Sequence, residues 1–108
     1  MQKDQVIRAL GALAHEIRLD VFRELVVAGP EGVTPSVLTE RLGVPPNKLS
    51  FHLKELAIAG LVTSEQKGRY LHYRAAYDLM DGVIGFLTKN CCKGLPVPET
   101  TDAGSCSC

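Results

Sequence analysis

Apolar residues recur at helical spacing through five stretches of this chain and alternate through a sixth. Val6, Leu10 and Leu13, flanked by Ile7 and Ala14, predict a first helix over about residues 5–14 with Asp4 as its cap. Ile17, Val21 and Leu25, with Phe22 and Val26 beside them, predict a second over about 15–28, stopped by Gly29-Pro30-Glu31-Gly32. Thr34-Pro35 is a third helix start, because a threonine oxygen can accept an orphan N–H and proline at the first helical position needs no acceptor. Leu38 and Leu42 share a face of that helix, and Gly43 followed by Val44-Pro45-Pro46 ends it. A fourth helix begins near Pro46, with Leu49, Leu53 and Leu56 on one side and Asn47, Lys48, Ser50, Phe51, His52 and Lys54 around the rest. Residues 61–66 and 70–75 read as strands, the second alternating Leu71, Tyr73 and Ala75 against Tyr70, His72 and Arg74, with Lys67-Gly68-Arg69 as the turn. From about Asp78 to Asn90 the helical period returns in Leu79, Met80, Val83, Ile84 and Leu87.

The order of these elements carries more than any one of them. Two short helices broken by a tight turn, the second rich in polar side chains, are helix-turn-helix grammar. A hairpin with lysine and arginine at its tip, directly after the second of them, is placed as a wing. The plain alternative is an antiparallel helix pair with solvated polar residues and a hairpin kept soluble by its charges. A three- to four-residue turn containing two prolines does not suit antiparallel packing, and the hairpin's position favours the wing. The expected fold is therefore mainly α with a small β-hairpin, a winged helix-turn-helix. Gly82 and Gly85 lie inside the last helix, where each weakens it by about 1 kcal/mol; they are either a tolerated defect or the mark of a close approach by another helix, and the second is the expectation. Dimerisation through the first and last helices supplies that approach, and extra apolar cover for a small domain.

Length and charge sharpen this. A chain of 108 residues supports one modest core and no large substrate cleft. Its net charge is zero, yet between Arg41 and Arg74 six basic residues (Arg41, Lys48, Lys54, Lys67, Arg69, Arg74) face two acidic ones (Glu55, Glu65), leaving plus four there and minus four elsewhere. Phosphate contacts depend on local potential, so a basic central strip on an acidic body suits a DNA-binding module. No apolar run is long enough to span a bilayer, and the first residues lack the uninterrupted apolar segment of a secretory signal, so the expected location is the cytoplasm with no membrane partner. The expected partners are double-stranded operator DNA and a second copy of the chain. Groove contacts are assigned to Asn47, Lys48, Ser50, Phe51 and His52, and phosphate contacts to Lys54, Lys67 and Arg69. A core role for His52, beside Leu53, is the alternative, and His15 and His72 read as structural or solvated.

The run LGVPPNKLSFHLKELAIAGLVTSEQKGRYLHYRA resembles the helix-turn-helix and wing of the ArsR/SmtB family of metal-responsive repressors, and ALAHEIRLDVFREL resembles that family's first-to-second-helix segment. The resemblance covers about residues 5–90 and departs from the family at Pro45-Pro46, where polar residues are usual. It implies a homodimeric winged-helix repressor, not an enzyme, which leaves its operator when an inducer binds and needs no cofactor to bind DNA. Two of the family's inducer sites do not map onto this chain. The helix before the turn has Val37-Leu38-Thr39-Glu40 in place of a cysteine cluster, and the last helix offers only Asp78 and Asp81 toward a zinc site.

All four cysteines instead lie past residue 90: Cys91, Cys92, Cys106 and Cys108. The stretch between them, rich in proline and glycine, divides the chain into a DNA-binding and dimerisation domain over 1–90 and a flexible cysteine-containing tail over 91–108. Thiolates suit soft ions, and trivalent arsenic favours three sulfurs in a pyramid, a number that Cys91, Cys92 and one tail thiol supply. The residues alone leave open a four-thiolate zinc or cadmium site, a redox switch and a strained disulfide. The resemblance favours As(III) or Sb(III) as inducer, because family members bind arsenite through a vicinal cysteine pair and a tail cysteine. A cytosolic metal chaperone or thiol protein is the reading from another class. No general base accompanies the cysteines and no dithiol motif opens a helix, which counts against it.

Overall fold

A computed structural model describes residues 1–91. Of the expected tail Cys91 is described; Cys92, Cys106, Cys108 and the other residues of 92–108 lie outside the described residues. Five helices and one hairpin follow in the order α1 (Lys3–Leu13), α2 (Glu16–Ala28), α3 (Pro35–Leu42), α4 (Pro46–Ile58), β1 (Val62–Lys67), β2 (Tyr70–Ala75) and α5 (Tyr77–Thr88). This is a winged helix-turn-helix.

The helix starts show which local chemistry prevailed. Asp4 does not cap α1 as expected but sits in its first turn. The Gln5 side chain reaches back to accept the Gln2 N–H at 3.0 Å, and this moves the start two residues earlier. His15 stands just before α2, its ring Nδ1 accepting the Ile17 N–H at 3.2 Å. Thr34 occupies the cap position of α3, but its hydroxyl lies 3.1 Å from the Ser36 hydroxyl. Gly43 ends α3 at φ 68°, a left-handed conformation that costs glycine no steric clash, and Pro46 opens α4 within three residues.

The core collects one face from each element. Leu49, Leu53 and Leu56 of α4 are fully buried together with Val21 and Leu25 of α2, Leu38 of α3 and Leu61. In α1 the buried pair is Val6 and Ala9, with Leu13 partly buried, so the predicted line through Leu10 is rotated. Ile7 and Leu10 form a second apolar line that the chain itself leaves uncovered. The same division runs along α5, where Val83 is buried while Ile84, Phe86 and Leu87 are exposed. Gly82 faces Met1 of its own chain, whose terminal methyl would lie 2.7 Å from an added Cβ, whereas around Gly85 there is open space.

β1 and β2 pair antiparallel from Val62↔Ala75 to Lys67↔Tyr70, joined by the two-residue turn Gly68-Arg69 with Gly68 at φ 61°. A short third segment braces the hairpin. Val33 and Tyr73 exchange both backbone hydrogen bonds, at 2.9 and 2.8 Å. The Tyr77 hydroxyl donates to the Val26 carbonyl at 3.3 Å, which secures the start of α5 to the end of α2. Among the described residues no helix is long and apolar enough to cross a membrane.

Candidate nucleic-acid interface

The buried positions of α4, Leu49, His52, Leu53 and Leu56, follow the spacing of one helix face, so the opposite face must carry the remaining side chains outward. Asn47, Lys48, Ser50, Phe51 and Lys54 are all exposed there, and Phe51 keeps 54% of its surface open. A large aromatic left in water amid amides, hydroxyls and amines suits base edges and thymine methyls better than it suits solvent. An open cleft of about 490 Å³ runs beside Phe51, lined by His15, by Ile17 from α2 and by Asn47, Lys48, Phe51 and His52 from α4.

His52 is the one predicted groove residue that does not lie on this face. It is only 6% exposed, and its Nδ1 accepts a hydrogen bond from Arg18 Nε at 3.2 Å. As a direct base contact it is corrected to an inward position, because it follows the leucine stripe at helical spacing. Burial holds its pKa below the ordinary 6.5, and its neighbours His15, Arg18 and Lys48 push the same way. At neutral pH the ring is therefore uncharged, as the lone pair facing Arg18 requires.

The wing is fastened to the body by its basic residues. Arg74 donates to the Glu65 carboxylate at 2.8 Å and to the Pro30 carbonyl at 3.3 Å, and Lys67 Nζ donates to the Glu31 carbonyl at 3.2 Å. Arg69 stands exposed at the tip of the hairpin. Sequence reasoning missed Arg18 and Arg74 as organisers of this surface. Their partners include residues 34 and 44 positions away, and no local spacing announces such a pairing. Cys91 is exposed, and its N–H donates to the Thr88 carbonyl at 2.9 Å, so it lies directly past the end of α5. Among the described residues no three of His, Cys, Asp and Glu are grouped as metal ligands.

Residues 13–65 match the sequence profile of the helix-turn-helix domain. The chain is 40% identical over 82 residues to the arsenical resistance operon repressor of Bacillus subtilis (strain 168), a match covering 75% of this chain and 72% of that one. The chain belongs to the ArsR family of winged helix-turn-helix transcriptional regulators. Solved structures place this ArsR-family chain among the same folds. An ArsR-like transcriptional regulator from Rhodococcus sp. RHA1 superposes with a TM-score of 0.71 at 29% identity, covering 80% of this chain and 78% of its own. The homodimeric winged helix-turn-helix DNA-binding domain of a possible ArsR-family regulator from Mycobacterium bovis does so at 0.65 and 26%, covering 81% of each.

Proposed function

We propose that this ArsR-family chain is a homodimeric repressor which holds operator DNA by default and releases it when trivalent arsenic or antimony is bound by its C-terminal thiolates. The observation that carries the DNA-binding half is the outward row Asn47, Lys48, Ser50, Phe51 and Lys54 on α4 beside a basic wing. In this reading Asn47, Lys48, Ser50 and Phe51 enter the major groove, and Lys54, Lys67 and Arg69 meet phosphates. Replacing Arg69 by alanine is expected to weaken binding about equally on all duplexes. It should also flatten the slope of log affinity against log salt by about 1 per protomer, read by fluorescence anisotropy over a salt series. A slope equal to that of the parent protein removes the wing tip from the backbone contacts.

The dimer is supported by the uncovered apolar lines on α1 and α5, where Ile7 is 60% and Leu87 59% exposed, and by the homodimeric relative from Mycobacterium bovis. Two-fold symmetry would set the two recognition helices roughly 34 Å apart, one turn of DNA, so that both read adjacent grooves. An Ile84→Asp substitution puts a charge on that face without touching the core. It is expected to shift sedimentation toward the monomer and to lower operator affinity at least about tenfold, since one half-site alone is then held. A variant that still sediments as a dimer places the seam elsewhere.

The inducer half rests on the donor set. Four thiols lie past residue 90, the first of them immediately beyond α5, and the relative from Bacillus subtilis is an arsenical resistance operon repressor. Cys91 and Cys92 with Cys106 or Cys108 supply the three soft donors that trivalent arsenic takes. Drawing Cys91 and Cys92 toward the tail redirects the end of α5, and with it the angle between protomers. A coupling of about 1–3 kcal/mol between the two sites suffices to weaken operator binding several-fold to a hundredfold. Arsenite added to the complex with a duplex of the chain's own promoter is expected to lower occupancy. Release by cadmium and not by arsenite would move the reading to a tetrahedral thiolate site. Occupancy untouched by either takes the thiols out of the mechanism.

A further inference from the structure

One guanidinium of the scaffold reaches three residues of the recognition helix. Arg18 of α2 donates from Nε to His52 Nδ1 at 3.2 Å, stands 3.9 Å from the Glu55 carboxylate, and lies 5.6 Å from the centre of the Phe51 ring. The His52 ring in turn meets the edge of Phe51 at 5.5 Å and the His15 ring at 4.8 Å. Phe51 is a large apolar side chain exposed among the polar residues of α4, so the residues that fix its ring also fix the shape offered to DNA there. We propose that Arg18 is a positioning residue for the recognition helix, setting Phe51 through His52, and that it does so only while His52 is neutral, which makes operator binding sensitive to protons. The operator part of this inference rests on the DNA-binding function proposed above.

The chemistry follows from the inventory of donors. Arg18 has no acceptor and cannot lose its proton, so the bond to His52 needs the Nδ1 lone pair. A proton on Nδ1 removes that lone pair and sets two cations face to face. The titratable and charged groups around the ring are His15, just before α2, Arg18 of α2, and Lys48 and Glu55 from its own helix. Arg8 of α1 lines the cleft in which Arg18 and Glu55 meet. Among these groups Glu55 is the anion, and Arg18 already faces it. Because the folded ring titrates below the unfolded value of 6.5, the unfolded chain binds the proton more readily. The stability this ring contributes is thus complete above about pH 6.5 and is lost as pH falls through the folded pKa. Operator affinity is expected to fall in the same window, by up to about tenfold per protomer for each pH unit below the folded pKa. That direction is opposite to simple electrostatics, since added positive charge strengthens binding to a polyanion.

Two measurements on the full chain test this. In the free protein, the Phe51 ring resonances are expected to shift on acidification from about pH 7.5, with the same midpoint as the His52 ring. Phe51 signals that stay still while His52 titrates would overturn the coupling, with no DNA in the tube. In the second, a labelled duplex of the chain's own promoter is titrated at each pH, with a scrambled duplex alongside. Promoter affinity is expected to fall with acid while scrambled affinity rises, and His52→Asn, whose amide oxygen accepts from Arg18 but does not titrate, is expected to abolish the fall. Promoter affinity that rises with acid in the parent protein, or falls equally in His52→Asn, overturns the proton sensitivity. A promoter bound no better than the scrambled duplex at every pH defeats the operator reading instead, and the Phe51 titration still decides the Arg18 clamp.

Discussion

Gly32→Ala is expected to lower the melting temperature by roughly 10–20 °C, which follows from a cost of about 2–3 kcal/mol in a domain of this size. Gly32 sits at φ 77°, where an L side chain is strained, and its added Cβ would stand 2.7 Å from the Tyr73 carbonyl oxygen. The obstacle is backbone, pinned in the β2 strand, so no rotamer change relieves it. To make room the chain must part Val33 from Tyr73 and give up the two backbone hydrogen bonds between them, each contributing about 1 kcal/mol. The wing would lose its brace along with them. Thermal denaturation followed by circular dichroism checks this, with Gly11→Ala as the control, since a Cβ at that helical glycine meets nothing within 4 Å. A Gly32→Ala protein melting within a degree or two of the parent would mean that the loop between α2 and α3 does not press on β2 as described.

Cys91→Ser and Cys92→Ser are each expected to leave promoter binding within about twofold of the parent and to abolish its release by arsenite, a loss of the whole 1–3 kcal/mol of coupling. The two halves of this outcome separate for a structural reason. Cys91 is exposed and lies past the end of α5, outside the buried core and outside the DNA-facing row of α4, so a serine there is expected to leave promoter binding in place. Serine keeps the size and loses the soft thiolate, which isolates the donor chemistry. Cys106→Ser and Cys108→Ser, made singly and together, then identify the third donor. Single variants at 91 and 92 that still release at the parent's arsenite concentration would refute the proposed site.

Much of this architecture can be read from the chain because its strongest signals are local. Leu49, Leu53 and Leu56 repeat at helical spacing, Gly43 and Pro46 mark the turn, and the strand residues alternate around Gly68, so each element is announced within its own few residues. What escaped was non-local or a matter of phase. The apolar stripe of α1 contains Ile7 and Leu10 as well as Val6 and Ala9, and only packing against the other helices decides which line turns inward. Val33 becomes a strand partner only because Tyr73 lies beside it in space. His52 illustrates the same limit at the site. It shares the buried face of Leu49, Leu53 and Leu56, but the partner that makes a buried imidazole acceptable there, Arg18, belongs to another helix.

The bond from the Tyr77 hydroxyl to the end of α2 gives α5 a pivot at its root. Twelve residues rising 1.5 Å each put the far end about 18 Å from that pivot, so a swing of roughly ten degrees carries the tip about 3 Å. A pull of that size beyond Thr88 would therefore turn the helix by a comparable angle, working against the burial of Val83 partway along the arm.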